Sequence, residues 1–148
     1  RRSTEALEPF AQILDFDQFA GALPETDWLF LACPLTPRTR GLVDAEALGR
    51  LPVHACIVNV ARGEVVVDAP LQAALREGRI AGYYSDVFAG EPLGADSAWW
   101  ETPRTLMSPH LAAASQGYGP RTVLSFLDNL GRYLQGTALR NVVTPPAG

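Results

Sequence analysis

The segment Ala55-Cys56-Ile57-Val58-Asn59-Val60-Ala61-Arg62-Gly63 sets the fold class of this chain. Residues 55–60 are nearly continuous in apolar character, which is typical of a strand covered on both faces in a parallel sheet. Arg62 follows directly, and burying a guanidinium without an anionic partner is very costly. Two interpretations stay open: Arg62 pairs with an acid of the same domain, or it points into the crevice at the strand ends, where α/β sheets bind ligands.

Three other segments have the composition of strands. They are residues 28–33, a continuous apolar run that also predicts a strand covered on both faces, residues 80–85, and a short run from Thr105 to Met107. Helical periodicity and capping residues predict helices between and after them. These helices are expected from Asp15 to about Leu23, over residues 45–51 with Asp44 as the N-cap, from Asp68 as the N-cap to Gly78, and from Pro120 to Gly136.

This alternation of strands and helices predicts an α/β fold with a doubly wound parallel sheet of the Rossmann type. No G-x-G-x-x-G turn occurs in the 148 residues, so the fold is expected to be incomplete at the N-terminus. The chain begins with Arg1 rather than methionine, and we expect it to be part of a longer protein. Residues 1–140 are predicted to form the domain portion, and residues 141–148 a Pro-rich tail.

Composition excludes several classes of function. A net charge of −4 argues against nucleic acid as a partner, and no apolar run approaches the roughly 18 residues of a membrane span. All 12 basic residues are arginine, which excludes a Schiff-base or phosphate-loop lysine within this segment. Cys33 and Cys56 lie in apolar runs, as expected for a reducing, cytoplasmic setting. Two histidines without close cysteines predict no metal site.

Charged side chains follow three successive predicted strands. Arg62 follows the strand at residues 55–60, Asp86 and Glu91 follow the strand at residues 80–85, and His110 follows the short strand after residue 104. The carboxyl ends of parallel strands share one edge of a sheet, so these groups are expected to converge. An arginine would fix an anion, a histidine would exchange a proton, and a carboxylate would hold the imidazole. Taken singly, each residue also fits a purely structural role, in a turn, a cap or a loop.

Four motifs in order resemble the D-isomer-specific 2-hydroxyacid dehydrogenases. They are Pro34-Leu35-Thr36-Pro37-Arg38-Thr39-Arg40-Gly41-Leu42, Asn59-Val60-Ala61-Arg62-Gly63, Ser85-Asp86-Val87-Phe88-Ala89-Gly90-Glu91-Pro92-Leu93 and Ser108-Pro109-His110-Leu111-Ala112-Ala113. The resemblance covers nearly the whole chain. It implies that residues 1–140 are the C-terminal portion of an NAD(P)-binding domain, in an enzyme that transfers a hydride between NAD(P)H and a small 2-oxo or 2-hydroxy acid of D stereochemistry.

The same resemblance implies a set of catalytic roles. Arg62 would bind the carboxylate and carbonyl of the substrate, and His110 would be the general acid or base. Glu91 would pair with His110, and Asp86 would contact the carboxamide of the nicotinamide.

The resemblance also implies which residues contact the cofactor. The nicotinamide pocket would be lined by Val60, Ala61, Ala112 and Ala113, and the adenosine side by Cys33 and Pro34; Thr39, Arg62 and His110 would also contact the cofactor. Arg2 and Ser3 would lie where the adenosine ribose is recognised. An arginine without a visible acid at that place favours NADP over NAD.

Alternatives from other functional classes remain. The scaffold would also suit a non-catalytic, NAD(H)-sensing regulator similar to the corepressors that resemble this family. It would equally suit a dimerisation module that exposes Trp99, Trp100 and the long helix after Pro120. We expect a homodimer. Because no glycine-rich turn or substrate-binding domain is present in these residues, we predict that they bind cofactor poorly and do not turn over alone.

Overall fold

The computed structural model describes residues 12–143. Arg2 and Ser3, which were predicted to bind the adenosine ribose, lie outside the described residues. By its internal contacts the chain divides into one unit up to Ala112 and a second from Ala113 onwards, and each is described by itself. The prediction of a domain over residues 1–140 with a tail over 141–148 stays a prediction.

The first unit is built on the predicted parallel sheet. Its four strands are β1 (Trp28–Leu31), β2 (Cys56–Asn59), β3 (Gly82–Ser85) and β4 (Thr105–Met107), in the spatial order β1-β2-β3-β4. All three pairings are parallel. β1, β2 and β3 are shorter than the apolar runs that contain them, and β4 has the bounds of its run.

The helices agree with the sequence pattern more closely in the middle of the chain than at its start. They are α1 (Phe19–Ala22), flanked by 3-10 turns over Phe16–Gln18 and Leu23–Glu25, then α2 (Ala45–Arg50), α3 (Asp68–Arg76) and, in the second unit, α4 (Tyr118–Leu134). The helix predicted after Asp15 is therefore broken into three short pieces. The long helix begins at Tyr118 and holds Pro120 within its first turn, where a proline is tolerated.

Of the two predicted caps in the middle of the chain, one is confirmed and one is wrong. Asp44 caps α2, since its carboxylate accepts a hydrogen bond of 2.9 Å from the amide of Ala47. Asp68 is the first residue of α3 instead of its cap, and Val67 occupies the cap position. Val67 is held extended because its amide donates to the carbonyl of Val43 at 3.0 Å.

The core lies on one face of the sheet. Alternate strand residues point towards it, and in β3 these are the buried Tyr83 and Ser85. Helices α2 and α3 supply the other side of this core. Its most enclosed apolar residues, each at most 2% exposed, include Leu23, Val43, Leu48, Ile57, Val65, Leu71, Leu75 and Ile80.

The opposite face of the sheet is open in the described residues. Trp28, Phe30 and Leu106 are 61%, 65% and 71% exposed, so the prediction that the first strand is covered on both faces is wrong here. The cause is topological. Right-handed crossovers between strands that advance in one direction place their helices on the same face. In a doubly wound sheet the other face is covered by helices from the half beyond the switch point.

Two further features bear on the alternative that the chain is a dimerisation module. Trp99 is buried, which corrects its predicted exposure, because its ring packs 5.3 Å from that of Tyr83 and 5.9 Å from that of Phe88, between centroids. Trp100 is 55% exposed, as predicted. In the second unit none of the residues of α4 is buried, and a role in subunit contact stays a prediction. Among the described residues, no helix combines the length and apolar character needed to cross a bilayer.

Candidate active site

The register of the sheet brings the predicted charged groups to one edge. Leu31, Asn59, Ser85 and Met107 are paired across the four strands and end them at the same level. The segments that follow therefore leave the sheet on the side where α/β folds bind ligands. Arg62, Asp86, Glu91 and His110 all lie on these segments.

The turn that carries Arg62 is fixed by the side chain of Asn59. The amide oxygen of Asn59 accepts from the backbone N–H of Ala61 at 3.0 Å, and its nitrogen donates to the carbonyl of Arg62 at 3.1 Å. The guanidinium of Arg62 is exposed and donates to the carbonyl of Ala61 at 2.6 Å. No acidic side chain in residues 12–143 forms an ion pair with Arg62, which favours the interpretation that it serves an external anion.

Gly63 allows the Arg62 turn to approach the loop after β3 very closely. A Cβ atom placed on Gly63 would lie 2.0 Å from the carbonyl carbon of Phe88 and 2.1 Å from the nitrogen of Ala89. These are backbone atoms, so no side-chain rotation relieves the overlap. Only glycine lets the two segments pack at this distance.

Asp86 is almost fully enclosed and anchors the segment that carries His110. One carboxylate oxygen accepts from the amide of Leu111 at 2.8 Å and from the hydroxyl of Ser108, and the other accepts from the amide of Ala112 at 2.7 Å. Burial alone would raise the pKa of Asp86. The hydrogen bonds from Ser108, Ala112 and Leu111, together with the nearby His110, outweigh burial and lower that pKa below its usual value.

His110 and Glu91 form a direct pair. The Nδ1 atom of His110 lies 2.7 Å from Oε2 of Glu91, and Oε1 of Glu91 accepts from the amide of Phe88 at 2.8 Å. The hydrogen bond with His110, followed by that from Phe88, lowers the pKa of Glu91, so this carboxylate is charged near neutral pH. Nε2 of the imidazole is the nitrogen that this pairing leaves for a proton donor or acceptor role.

The backbone of His110 adopts a left-handed conformation with a φ of 56°. Residues other than glycine rarely adopt it, and it persists where the surroundings hold it in place. The two amides that follow, those of Leu111 and Ala112, are held by Asp86. The carboxylate of Asp86 thus fixes the turn from which the imidazole projects.

Two cavities open at this edge of the sheet. One, of about 480 Å³, is lined by His110, Glu91, Asp86 and Ser108 together with apolar side chains that include Trp100. The other, of about 560 Å³, is lined by small apolar residues and Arg62. Five predicted cofactor residues line this second cavity: Cys33, Pro34, Val60, Ala61 and Arg62. The charge of Arg62 makes a minor contribution to lowering the pKa of Glu91, after the hydrogen bonds from His110 and Phe88.

The remaining predicted cofactor residues are placed differently. Thr39 is buried and its hydroxyl donates to the carbonyl of Pro34 at 2.7 Å, so it holds the loop instead of facing the cavity. The amide of Ala112 is bound to Asp86. Ala113 begins the second unit. Within residues 12–143, no cluster of three or more His, Cys, Asp or Glu side chains is arranged to bind a metal ion.

The second cavity suits part of a dinucleotide. Its apolar walls include the small side chains of Ala32 and Ala61, where a ring or ribose can approach the backbone, and its one charged lining residue is a cation. Sequence reasoning assigned no role to Asn59, Gly63 or Ser108, which hold the site together. A polar amide at the end of an apolar strand and a glycine after the arginine were the available signals.

Comparison with known proteins identifies relatives of this site and fold. Residues 1–112 match the family profile described as D-isomer specific 2-hydroxyacid dehydrogenase, NAD binding domain. Glyoxylate/hydroxypyruvate reductase A of Escherichia fergusonii is 38% identical over 116 residues, which cover 78% of this chain and 36% of that protein. The chain spans only about a third of the length of the curated relatives it matches.

Similar solved structures belong to the same family. A D-isomer specific 2-hydroxyacid dehydrogenase from Xanthobacter autotrophicus Py2, in complex with NADPH and MES, is 40% identical with a TM-score of 0.85, covering 97% of this chain and 58% of that one. An NADPH-dependent glyoxylate/hydroxypyruvate reductase from Sinorhizobium meliloti, in complex with NADP and sulfate, is 30% identical with a TM-score of 0.86, covering 97% and 46%. These similarities confirm the predicted Rossmann-like sheet, present here as a portion of the domain.

Proposed function

Because this chain belongs to the D-isomer specific 2-hydroxyacid dehydrogenase family, we propose that it is part of an NADPH-dependent reductase of small 2-oxo acids. The observation that carries this proposal is the 2.7 Å pair between His110 and Glu91 at the ligand-binding edge of the sheet. His54 forms a pair of the same length with Asp27, whereas the His110–Glu91 pair lines a cavity at the ligand-binding edge of the sheet. That position suits a group that transfers a proton to a bound ligand.

The predicted cofactor class, NAD or NADP, is confirmed by the family, whose matching portion is its NAD-binding domain. We assign the cavity beside Arg62 to this cofactor, with Cys33, Pro34, Val60 and Ala61 as its walls. The choice of NADP is part of the proposal. It is supported by the relatives solved with NADPH or NADP, although another relative was solved with NAD.

Arg62 is assigned to the anionic substrate. Its guanidinium is exposed, is held near the sheet edge by the turn that Asn59 fixes, and has no ion-pair partner among the described acids. A guanidinium binds a carboxylate through two parallel hydrogen bonds and stabilises negative charge that develops on an adjacent oxygen. Arg62 therefore orients a 2-oxo acid and stabilises the charge on its carbonyl oxygen.

His110 is assigned to the proton. When bound, the nicotinamide supplies the hydride that adds to the carbonyl carbon. The imidazole gives its proton to the carbonyl oxygen through Nε2, while Glu91 holds Nδ1. In the reverse direction His110 accepts the proton of the hydroxyl. Asp86 keeps the His110 turn in place, and a contact with the carboxamide of the nicotinamide remains part of the proposal.

The substrate class follows the relatives. Glyoxylate and hydroxypyruvate are named for them, and both are small 2-oxo acids that a single guanidinium can bind through the carboxylate. We propose that the full-length protein reduces these acids to 2-hydroxy acids of D stereochemistry. A homodimer and a cytoplasmic location stay predictions.

The test uses the full-length protein that contains this chain. NADPH oxidation is followed by absorbance with glyoxylate and with hydroxypyruvate, and NADPH affinity by fluorescence. His110→Ala is expected to lower kcat by about 10²–10⁴-fold and to leave NADPH affinity nearly unchanged. The matched control is His54→Ala, which removes an exposed histidine paired with Asp27 away from the site.

Three results would contradict the proposal. The first is wild-type turnover by the His110→Ala protein. The second is an equal loss of turnover and of NADPH affinity, which would make His110 a cofactor ligand. The third is tight NADPH binding without turnover of any small 2-oxo acid, which would favour the NAD(H)-sensing alternative.

A further inference from the structure

The geometry points to Tyr83 as a positioning residue, which sets the place of the Arg62 guanidinium relative to the Glu91–His110 pair through a buried chain of hydrogen bonds. This inference rests on the proposed function, because it gives Tyr83 a role through Arg62. Tyr83 does not line either cavity at the sheet edge.

The chain of hydrogen bonds runs in one direction beneath the site. The side-chain nitrogen of Asn59 donates to the hydroxyl of Tyr83 at 3.4 Å. That hydroxyl donates to the hydroxyl of Ser85 at 2.9 Å, which donates to the carbonyl of Val87 at 2.6 Å. Asn59 and Ser85 are register partners on neighbouring strands, so the chain crosses from β2 to β3.

Each member of this chain is buried. Asn59 and Ser85 are fully enclosed, and Tyr83 is 4% exposed. A buried polar group needs a partner, since an unsatisfied donor or acceptor in the interior is expensive. Removal of the Tyr83 hydroxyl takes one acceptor from the Asn59 amide and one donor from the Ser85 hydroxyl, and each of these groups keeps its other hydrogen bond, to the carbonyl of Arg62 and of Val87. We expect the geometry of this hydrogen-bond chain to change, because Asn59 and Ser85 move to regain hydrogen bonds.

The two ends of the chain lie next to the two halves of the proposed site. At one end Asn59 also holds the amide of Ala61 and the carbonyl of Arg62. At the other end Val87 precedes Phe88, whose amide binds the carboxylate of Glu91. A shift at either end changes the spacing between guanidinium and carboxylate.

The ring of Tyr83 adds a second restraint. It packs against Trp99, which in turn contacts the ring of Phe88. The Tyr83→Phe variant keeps this packing and removes only the hydroxyl. It is therefore the sharpest test of the hydrogen-bond chain.

The experiment compares four full-length proteins with glyoxylate and NADPH: wild type, Tyr83→Phe, Arg62→Gln and the double variant. Tyr83→Phe is expected to lower kcat/KM by about three- to tenfold, mainly through a higher KM for glyoxylate, with NADPH affinity within about twofold of wild type. In the Arg62→Gln background the same change is expected to have no further effect, because no guanidinium remains to be positioned. The matched control is Tyr133→Phe in α4, whose ring is exposed.

The possible outcomes distinguish a failure of the proposed role of Arg62 from a failure of the positioning role of Tyr83. If Arg62→Gln keeps the kcat/KM of wild type, the proposed role of Arg62 fails. If Arg62→Gln is severely impaired but Tyr83→Phe matches wild type, or multiplies the loss of the double variant, only the positioning role of Tyr83 fails. Should Tyr83→Phe not fold, Ser85→Ala interrupts the chain at its next hydroxyl, and the same comparison in the two backgrounds decides.

Discussion

The carboxylate of Glu91 bridges the imidazole of His110, 2.7 Å away, and the backbone amide of Phe88, 2.8 Å away. Both oxygens are thus engaged, and these two hydrogen bonds lower the pKa of Glu91 below its ordinary value of 4.5. Glu91 is accordingly negative at neutral pH. It can orient the ring and offset the charge of the imidazolium at the same time.

Glu91→Gln removes the charge and replaces one of the two accepting oxygens with an NH2 donor, so it cannot accept from both the imidazolium of His110 and the amide of Phe88. We expect kcat for glyoxylate reduction by the full-length protein to fall by about 10–10²-fold, with NADPH affinity retained. Steady-state kinetics and fluorescence titration measure the two effects. Glu77→Gln is the matched control, because Glu77 is exposed and its carboxylate pairs with Arg79. A kcat equal to that of wild type would show that His110 does not depend on this carboxylate.

Asp86→Asn is expected to destabilise the fold and displace the His110 turn. An amide nitrogen would face an amide donor at Ala112 or Leu111, leaving a buried hydrogen bond unmade. Loss of a buried bond to a charged group costs about 1.5–3 kcal/mol. Urea denaturation of the full-length protein measures this cost. An unfolding free energy equal to that of wild type would contradict the anchoring role of Asp86.

The stabilisation by Asp86 also has a predicted pH dependence. The pKa of Asp86 is lowered from its ordinary value of 3.8 in the folded protein, so its contribution is present above that value. It is lost as the pH falls through the folded pKa. The difference in unfolding free energy between wild type and Asp86→Asn should therefore be constant near neutral pH and shrink only in acid. A difference that disappears between neutral and mildly alkaline pH would assign it to another group.

Local patterns in the sequence predicted most of the fold. The run Thr105–Met107 has the bounds of β4, and the other apolar runs contain β1, β2 and β3. Features that depend on contacts with residues distant in the sequence were not predicted. Asp68 does not cap α3, because pairing with Val43 holds Val67 extended. Trp99 is buried by Tyr83 and Phe88, which the sequence gives no reason to bring together.

For the candidate site, too, the sequence predicted one part, the grouping of the charged residues, and did not reveal another, the contacts between segments. The rule that parallel strands end at one edge was enough to group Arg62, Asp86, Glu91 and His110, because it requires only the strand assignments. The sequence did not reveal that Asp86 holds the His110 turn. That contact depends on the angle at which the chain leaves β4, and such angles follow from packing between segments.

The cap of α2 provides a prediction about the fold alone. Asp44→Ala removes the acceptor of the amide of Ala47 and is expected to lower the unfolding free energy by about 1 kcal/mol. Glu46→Ala is its control. It removes an exposed pair with Arg50, which is worth about 0.3–0.5 kcal/mol. Thermal or urea unfolding checks the order of the two effects, and a larger loss in Glu46→Ala would argue against the cap.

Gly63→Ala tests whether the close approach of the Arg62 turn and the Phe88 loop matters for the site. The added methyl would lie 2.0 Å from a backbone atom of Phe88, so the two segments must separate, at a cost of about 1–3 kcal/mol. Because Arg62 and Glu91 lie on these two segments, we also expect a higher KM for glyoxylate in the full-length protein. Gly49→Ala is the matched control: in α2 its Cβ meets nothing within 4 Å, and alanine should stabilise the helix by up to about 1 kcal/mol. Equal stability and equal KM in the Gly63→Ala and wild-type proteins would mean that the spacing of the two segments is not set by this contact.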